Sequence, residues 1–183
     1  MGSARTGPAT LRCMLGECSL GSVLVARSER GLRALWLGDE PQSLLTALQA
    51  RWPQARLEMA PAPDDPALMA RLLAALEAPA QAPQQLADLP TDVDGTPLQQ
   101  RVWQALRALP AGAPVSYTEL ARRLGLPRAV RPVAGAVAAN PLAVMVPCHR
   151  VVRADGSLAG FRWGIERKRE LLRREAQAVG ALA

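Results

Sequence analysis

The chain has 183 residues, enough for one domain or two small ones sharing an interface, and it contains no run of about 18 apolar residues that a membrane-spanning helix needs. Its three cysteines, Cys13, Cys18 and Cys148, are too few and odd in number for a disulfide framework, so a reducing, cytoplasmic setting is expected. The net charge of +6 is uneven: residues 101–183 hold 13 Arg and one Lys against five acids, a net +9, whereas residues 1–100 hold 8 Arg against 11 acids, a net −3. A basic half suits a polyanionic partner; an Ala-, Arg- and Pro-rich codon bias explains the same numbers.

The first stretch, "MGSARTGPATLRC", lacks the apolar core of a signal peptide and is expected to be a loose tail. "GSVLVARSERGLRALWLG" predicts a β-hairpin, with Val23, Val25, Leu32, Leu35 and Leu37 in its strands and Ser28 to Gly31 in its turn. "PQSLLTALQARWP" predicts a helix with Pro41 near its start and Pro53 past its end; "DPALMARLLAALEAP" predicts a second, closed by Pro79. Residues 79–95, rich in Pro and Asp, read as a linker with room for a short strand.

The punctuation then sharpens. "TPLQQRVWQALRALP" carries Thr96 as N-cap, Pro97 at the first helical position and Gln99 to close a capping box. "SYTELARRLG" opens on a second capping box, Ser116 with Glu119, and stops at Gly125. A third helix is expected from about Val130 to Ala139, ending before Asn140-Pro141, and the pair has the outline of a helix-turn-helix. That third helix, "VRPVAGAVAAN", is almost all small side chains around Arg131. Small residues such as Ala129, Gly135 and Ala138 let a helix backbone approach DNA closely. Tight packing on a neighbouring helix accounts for them equally well.

In "VMVPCHRVVRADG", residues 144–156, the chain's one histidine follows a cysteine and a proline. A lone cysteine is more often a small buried hydrophobe than a nucleophile. Here Pro147 restricts the backbone, His149 is a base near neutral pH, and Arg150 and Arg153 would favour a thiolate. Adjacent strand residues point opposite ways, so a direct Cys148–His149 contact is not assured and a relay through water and a distant carboxylate would serve.

"PCHRVV" with "NP" before it and "GFRWG" after it resembles the signature of the O6-alkylguanine-DNA alkyltransferases, also called methylated-DNA–protein-cysteine methyltransferases. The similarity runs from about Arg12 to Glu175 and is greatest to the alkyltransferase half of the bacterial adaptive-response protein. The block from Val102 to Pro141 is similar to the family's helix-turn-helix region. The resemblance implies an α/β fold: a ribonuclease H-like sheet with helices over residues 1–95, linker included, and a mainly helical DNA-binding and alkyl-acceptor part over 96–183. It implies Cys148 as alkyl acceptor, His149 drawing off its proton through a water, and Glu175 orienting His149. Asn140 would tie the helix-turn-helix to the active-site segment. Tyr117 would hold the flipped guanine, and Arg131 would fill the gap left in the stack. Backbone groups of Cys148, Val151 and Arg162 would read the purine edge. The partner implied is double-stranded DNA bearing O6-alkylguanine, with O4-alkylthymine as a further substrate. The protein would be a monomer with no cofactor and no metal: Cys13 and Cys18 lack the spacing and partner ligands of a zinc site.

Pro132 departs from the family pattern. It is tolerated if the helix starts near Val130 and displaces Arg131 if the helix starts earlier. Trp163 stands where some relatives have glycine, and as part of a lid it would exclude bulky adducts; the alternative is a tryptophan packed in the core behind the lid. Two rival functions remain on the residues alone. A lesion-flagging relative of the family would carry another residue at 148, and a Cys-His hydrolase would need an oxyanion hole and turnover.

Overall fold

In the computed structural model, residues 9–60, 65–158 and 160–180 are described. β1 (Thr10–Cys18), β2 (Gly21–Ser28) and β3 (Gly31–Gly38) form an antiparallel meander, and β4 (Arg56–Met59) pairs in parallel with β1, for a sheet order of β3-β2-β1-β4. Val23 to Ala26 of β2 are buried without alternation, as in a strand covered on both faces. α1 (Pro41–Arg51) packs against β2 and β3, and α2 (Pro66–Glu77) packs against β1. The result is a mixed α/β fold.

The expected hairpin is β2–β3. The expected loose tail is not one: Thr10 to Cys13 begin β1, while residues 1–8 lie outside the described residues. Tertiary pairing with β2 and β4 on either side draws this stretch into the sheet. Residues 79–95 are also more folded than a linker. A 3-10 turn over Pro79–Gln81 and α3 (Ala82–Gln85) put Pro79, Ala82 and Leu86 into the core, and Thr91 bridges Leu32 of β3.

α4 (Pro97–Arg107) starts on a complete capping box, with Gln99 N–H donating to Thr96 Oγ1 (3.2 Å) and Thr96 N–H to Gln99 Oε1 (2.9 Å). α5 (Tyr117–Arg123) has only half of one. Ser116 Oγ accepts from Glu119 N–H, but the Glu119 carboxylate turns to Arg122 and Arg123 instead. α5 ends with Gly125 at φ +72°, its N–H on Arg122 O and the Leu126 N–H on Ala121 O, a Schellman closure that turns the chain toward α6 (Val130–Ala138). β5 (Val115–Ser116) and β6 (Val151–Val152) form a two-residue parallel ladder, and α7 (Ile165–Gly180) closes the described chain. Among the described residues the α-helices number seven, and none is long and apolar enough to cross a membrane.

Between α6 and β6 every residue from Asn140 to Val152 is buried, although the run has almost no regular structure. It is held by the free edge of β3: Leu35 N–H donates to Pro141 O and Ala143 N–H to Leu35 O, both at 3.0 Å. The same contacts cover an edge strand that would otherwise invite pairing. Val144 sits at φ 56°, left-handed and unfavourable for a β-branched residue, at a cost of order 1–3 kcal/mol that its buried neighbours must offset. A single apolar cluster joins the sheet (Leu11, Val25, Leu35) to α4, α6 and α7 (Leu106, Val133, Leu171) and includes Leu142 to Val146 of the segment between α6 and β6.

Candidate active site

Pro147 leads into a single 3-10 turn, Cys148–Arg150, and only at Val151 does the chain become extended. The strand alternation expected at this point therefore does not apply. With three residues per turn, successive side chains leave about 120° apart. Cys148, 6% exposed, faces Asn140; His149 and Arg150, both fully enclosed, converge on Glu175 of α7.

His149 Nε2 lies 2.7 Å from Glu175 Oε1. Arg150 Nε and Nη2 donate to the same carboxylate at 2.9 and 2.8 Å, and Gly112 N–H donates to it at 3.3 Å. Burial works to raise the Glu175 pKa, but the His149 and Arg150 hydrogen bonds and charges outweigh it and hold the carboxyl near 2. An ionised carboxylate only accepts, so Nε2 of His149 carries the proton and Nδ1 keeps its lone pair. Burial depresses the His149 pKa more than Glu175 raises it, so the ring is neutral. Nδ1 is buried with no protein partner, a base with its lone pair available.

Cys148 is a thiol rather than a standing thiolate. Burial pushes it up to about 11, against the Asn140 hydrogen bond and the charges of Lys168 and Arg162. This corrects the expectation that Arg150 and Arg153 favour the thiolate. Arg150 is engaged by Glu175 and the Leu109 carbonyl, and Arg153 is exposed. The thiol must lose its proton as it reacts, which is a task for a neighbouring neutral base.

Asn140, 1% exposed at the end of α6, accepts from Leu142 N–H through Oδ1 (2.9 Å). Its Nδ2 donates to Val146 O (2.8 Å) and lies 3.1 Å from Cys148 Sγ. It joins the end of α6 to the 3-10 turn that carries Cys148. Beside Sγ is a pocket of about 20 Å³ lined by Tyr117, Val137, Ala138, Asn140, Gly160, Phe161 and Arg162, room for about one water. A larger cleft, about 750 Å³, lies on the sheet around Arg27 and Leu68 and shares none of these residues. Arg131, Gly135 and Ala138 stand at i, i+4 and i+7 on an exposed face of α6, and a Cβ built on Gly135 meets nothing within 4 Å. Packing therefore does not explain this glycine. It does explain the opposite face, where Val133 and Ala136 are buried and Trp103 Nε1–H donates to Ala136 O (2.9 Å).

Residues 97–177 match the family model described as 6-O-methylguanine DNA methyltransferase, DNA binding domain. The chain is 48% identical over 167 residues to the bifunctional transcriptional activator/DNA repair enzyme Ada of Escherichia coli (strain K12), across 91% of this chain and 46% of Ada. It is 51% identical over 87 residues to the methylated-DNA–protein-cysteine methyltransferase of Salmonella typhimurium, across 48% of this chain and 51% of that protein. The crystal structure of Mycobacterium tuberculosis OGT in complex with DNA superposes with a TM-score of 0.70 at 31% identity, across 91% of this chain and 93% of that one.

The chain belongs to the O6-methylguanine-DNA methyltransferase family.

It spans about half the length of the curated relatives it matches. Of the residues that the family resemblance singled out, the fold brings Cys148, His149, Glu175, Asn140, Tyr117 and Arg162 to one place. Arg131, Gly135 and Ala138 share the adjoining helix face, with Ala129 at the N-cap of α6. Val151 N–H is bonded to Cys148 O, and its carbonyl accepts from Lys168. Pro132 is the third residue of α6, where its missing N–H has no intrahelical acceptor, and the first helical bond, Val133 N–H to Ala129 O, is intact at 2.9 Å. The lid reading of Trp163 is overturned. The indole is 4% exposed in the core, edge-on to Phe161 at 5.2 Å, and does not line the pocket. Among the described residues no group of three or more His, Cys, Asp or Glu side chains gathers to hold a metal. Lys168 went unassigned on sequence; its being the one lysine among 22 basic residues was the available signal.

Proposed function

We propose that the protein repairs O6-alkylguanine, and O4-alkylthymine, in double-stranded DNA by moving the alkyl group once and irreversibly onto Cys148. The observation that carries this reading is the buried His149–Glu175 pair, which leaves a neutral imidazole lone pair without a protein partner one residue along the chain from a thiol that burial holds protonated at rest. α5 and α6 would act as the helix-turn-helix, laying the face of Arg131, Gly135 and Ala138 in a DNA groove. Residues 96–183 would then hold DNA and acceptor, while residues 1–95 buttress the acceptor segment through β3. The lesion base must leave the stack, at a few kcal/mol, to reach a buried sulfur, with Arg131 occupying the gap. The pocket is smaller than a purine, so its Gly160–Arg162 wall would move outward to admit the base.

In the chemical step the Cys148 proton passes through a water to His149 Nδ1. The sulfur pair then forms the S–C bond, the C–O bond breaks, and the guanine leaving group takes a proton, a transfer that Tyr117, which lines the pocket, would assist. Glu175 holds the imidazole and offsets its developing charge. The thioether has no leaving group and no acyl carbon open to water, so each molecule would act once, as a monomer, in the cytoplasm. Intact mass after incubation with O6-methylguanine duplex tests this. Wild type should gain one methyl, and Cys148→Ser, nearly isosteric but a weak nucleophile, should gain none while still binding DNA. Methyl on Cys13 or Cys18, or release of methanol with turnover, would overturn it.

A further inference from the structure

Two tryptophans on the N-terminal side of the molecule stack on one another and carry three arginines. Trp36 of β3 and Trp52, the C-cap of α1, lie with ring centres 6.1 Å apart and planes 24° from parallel. Arg33 and Arg51 each place a guanidinium over Trp52, at 5.3 and 5.2 Å from its ring centre, and Arg162 places one over Trp36 at 5.5 Å. Cation–π attraction draws the three like charges together without neutralising them. Arg33 is neutralised separately, by Asp92 at 3.2 Å and Asp94 at 2.7 Å. Arg51, the last residue of α1, and Arg162, between β6 and α7, have no carboxylate partner among the described residues, and solvent reaches both. Enough protein surrounds Arg162 to lower its pKa, and the neighbouring charge of Arg51 lowers it further, with Cys148 working the other way. Two guanidinium groups that repel each other and lack an anion are a ready site for one.

The place of the pair says which anion. Arg162 lines the pocket beside Cys148, and so does Ala138, which belongs to the exposed α6 face of Arg131 and Gly135. A strand that turns a base into this pocket must pass its own phosphates by the rim, and Arg162 is on the rim with Arg51 beside it. Guanidinium forks match phosphate oxygens, and the indole faces hold the two groups while leaving their N–H donors unbonded. We propose that Arg51 and Arg162, carried on the Trp36–Trp52 stack, form a phosphodiester-binding site for the lesion-bearing strand. The N-terminal half then takes part in DNA binding and does more than support the acceptor segment. The phosphate offsets the repulsion between the two arginines, and the anchored strand keeps the nucleotide at the pocket mouth. No covalent bond is made or broken at this site.

The proposal rests on the pocket beside Cys148 receiving the lesion base, and its test separates the two ideas. Affinity for O6-methylguanine duplex is measured by fluorescence anisotropy in a Cys148→Ser background, which prevents transfer. Arg51→Gln should lower it about fivefold, the upper end for an exposed ion pair. The slope of log affinity against log salt should become shallower by about 1, and Arg51→Lys should keep the original slope. With Cys148 intact, Arg51→Gln should melt with wild type and react at the wild-type rate with free O6-methylguanine base, which has no phosphate. Unchanged affinity and slope, or an equal loss on the free base, would show an arginine that merely packs on Trp52 and overturn the proposal. A second measurement locates the contact by replacing the phosphates that flank the lesion, one at a time, with an uncharged methylphosphonate. One replacement should weaken binding as Arg51→Gln does and cost the Arg51→Gln protein nothing more. Replacements that weaken both proteins alike at every position overturn the proposal. Millimolar inorganic phosphate at constant ionic strength should not compete; selective loss of the Arg51-dependent part of binding assigns the site to the free ion and overturns it as well. A wild type that binds DNA through Arg51 yet never gains a methyl group leaves the phosphate site standing and overturns the repair reading instead.

Discussion

Replacing Glu175 by Gln keeps the shape and removes the charge around which the site is assembled. The carboxylate receives His149 Nε2–H, two nitrogens of Arg150 and the Gly112 N–H. In the variant a carboxamide NH2 faces these donors, and the buried Arg150 guanidinium loses its anion. The magnitude follows from the titration. A carboxyl held near 2 in the folded protein against an ordinary 4.5 contributes about 3 kcal/mol. Because the folded value is the lower one, that stability is fully present above about pH 4.5 and is lost as pH falls through 2. Breaking a buried pair by removing one partner costs a similar 3–5 kcal/mol or so. Urea unfolding should therefore place Glu175→Gln about 3 kcal/mol below wild type at pH 7 and only about 1 kcal/mol below it at pH 3. Methyl transfer should fall too, since the His149 tautomer is no longer enforced. Adding Arg150→Met should recover stability without recovering transfer. A variant within 1 kcal/mol or so of wild type at pH 7, or a deficit that does not change with pH, would refute the account of Glu175 as an ionised hub.

Arg131→Ala should slow repair in duplex DNA much more than reaction with free O6-methylguanine base, which has no stack to hold open; equal losses on both substrates would place Arg131 elsewhere. Trp163→Gly should lower stability by about 3–5 kcal/mol, as core truncations of large aromatics do, and should not confer reactivity toward O6-benzylguanine. A normal melt with new benzyl transfer would return Trp163 to the lid. Binding to undamaged DNA should weaken with salt less steeply than a +9 half suggests. Arg122, Arg123, Arg169, Arg173 and Arg174 are paired with Glu119, Glu166 and Glu170, whereas Arg128 and Arg131 have no such pairing among the described residues. A slope of log affinity against log salt of roughly −2 to −4 is expected. One near −8 would mean that the pairs open on DNA.

Local rules made much of this molecule legible in its sequence. Thr96, Pro97 and Gln99 satisfy the first turn of α4 from within the same few residues, and Gly125 closes α5 because only glycine takes φ +72° freely. The spacing of small residues around Arg131 marked one face of α6, and the motif around Cys148 marked the acceptor proposed for it. What depended on distant partners was not legible. β1 reads as a tail because its strand character comes from β2 and β4 on either side of it, not from its own Gly- and Cys-containing residues. Arg150 reads as a helper of the thiolate, yet a carboxylate 25 positions later takes its charge. Trp163 reads as a lid, yet the core behind Phe161 encloses it. Residue types, caps and turns are set by neighbours in the chain. Protonation is set by burial and by charges that only folding brings together, so the sequence could name Cys148, His149 and Glu175, but only the tertiary structure decided that the site rests as a thiol, a neutral imidazole and a carboxylate, with one buried lysine beside them.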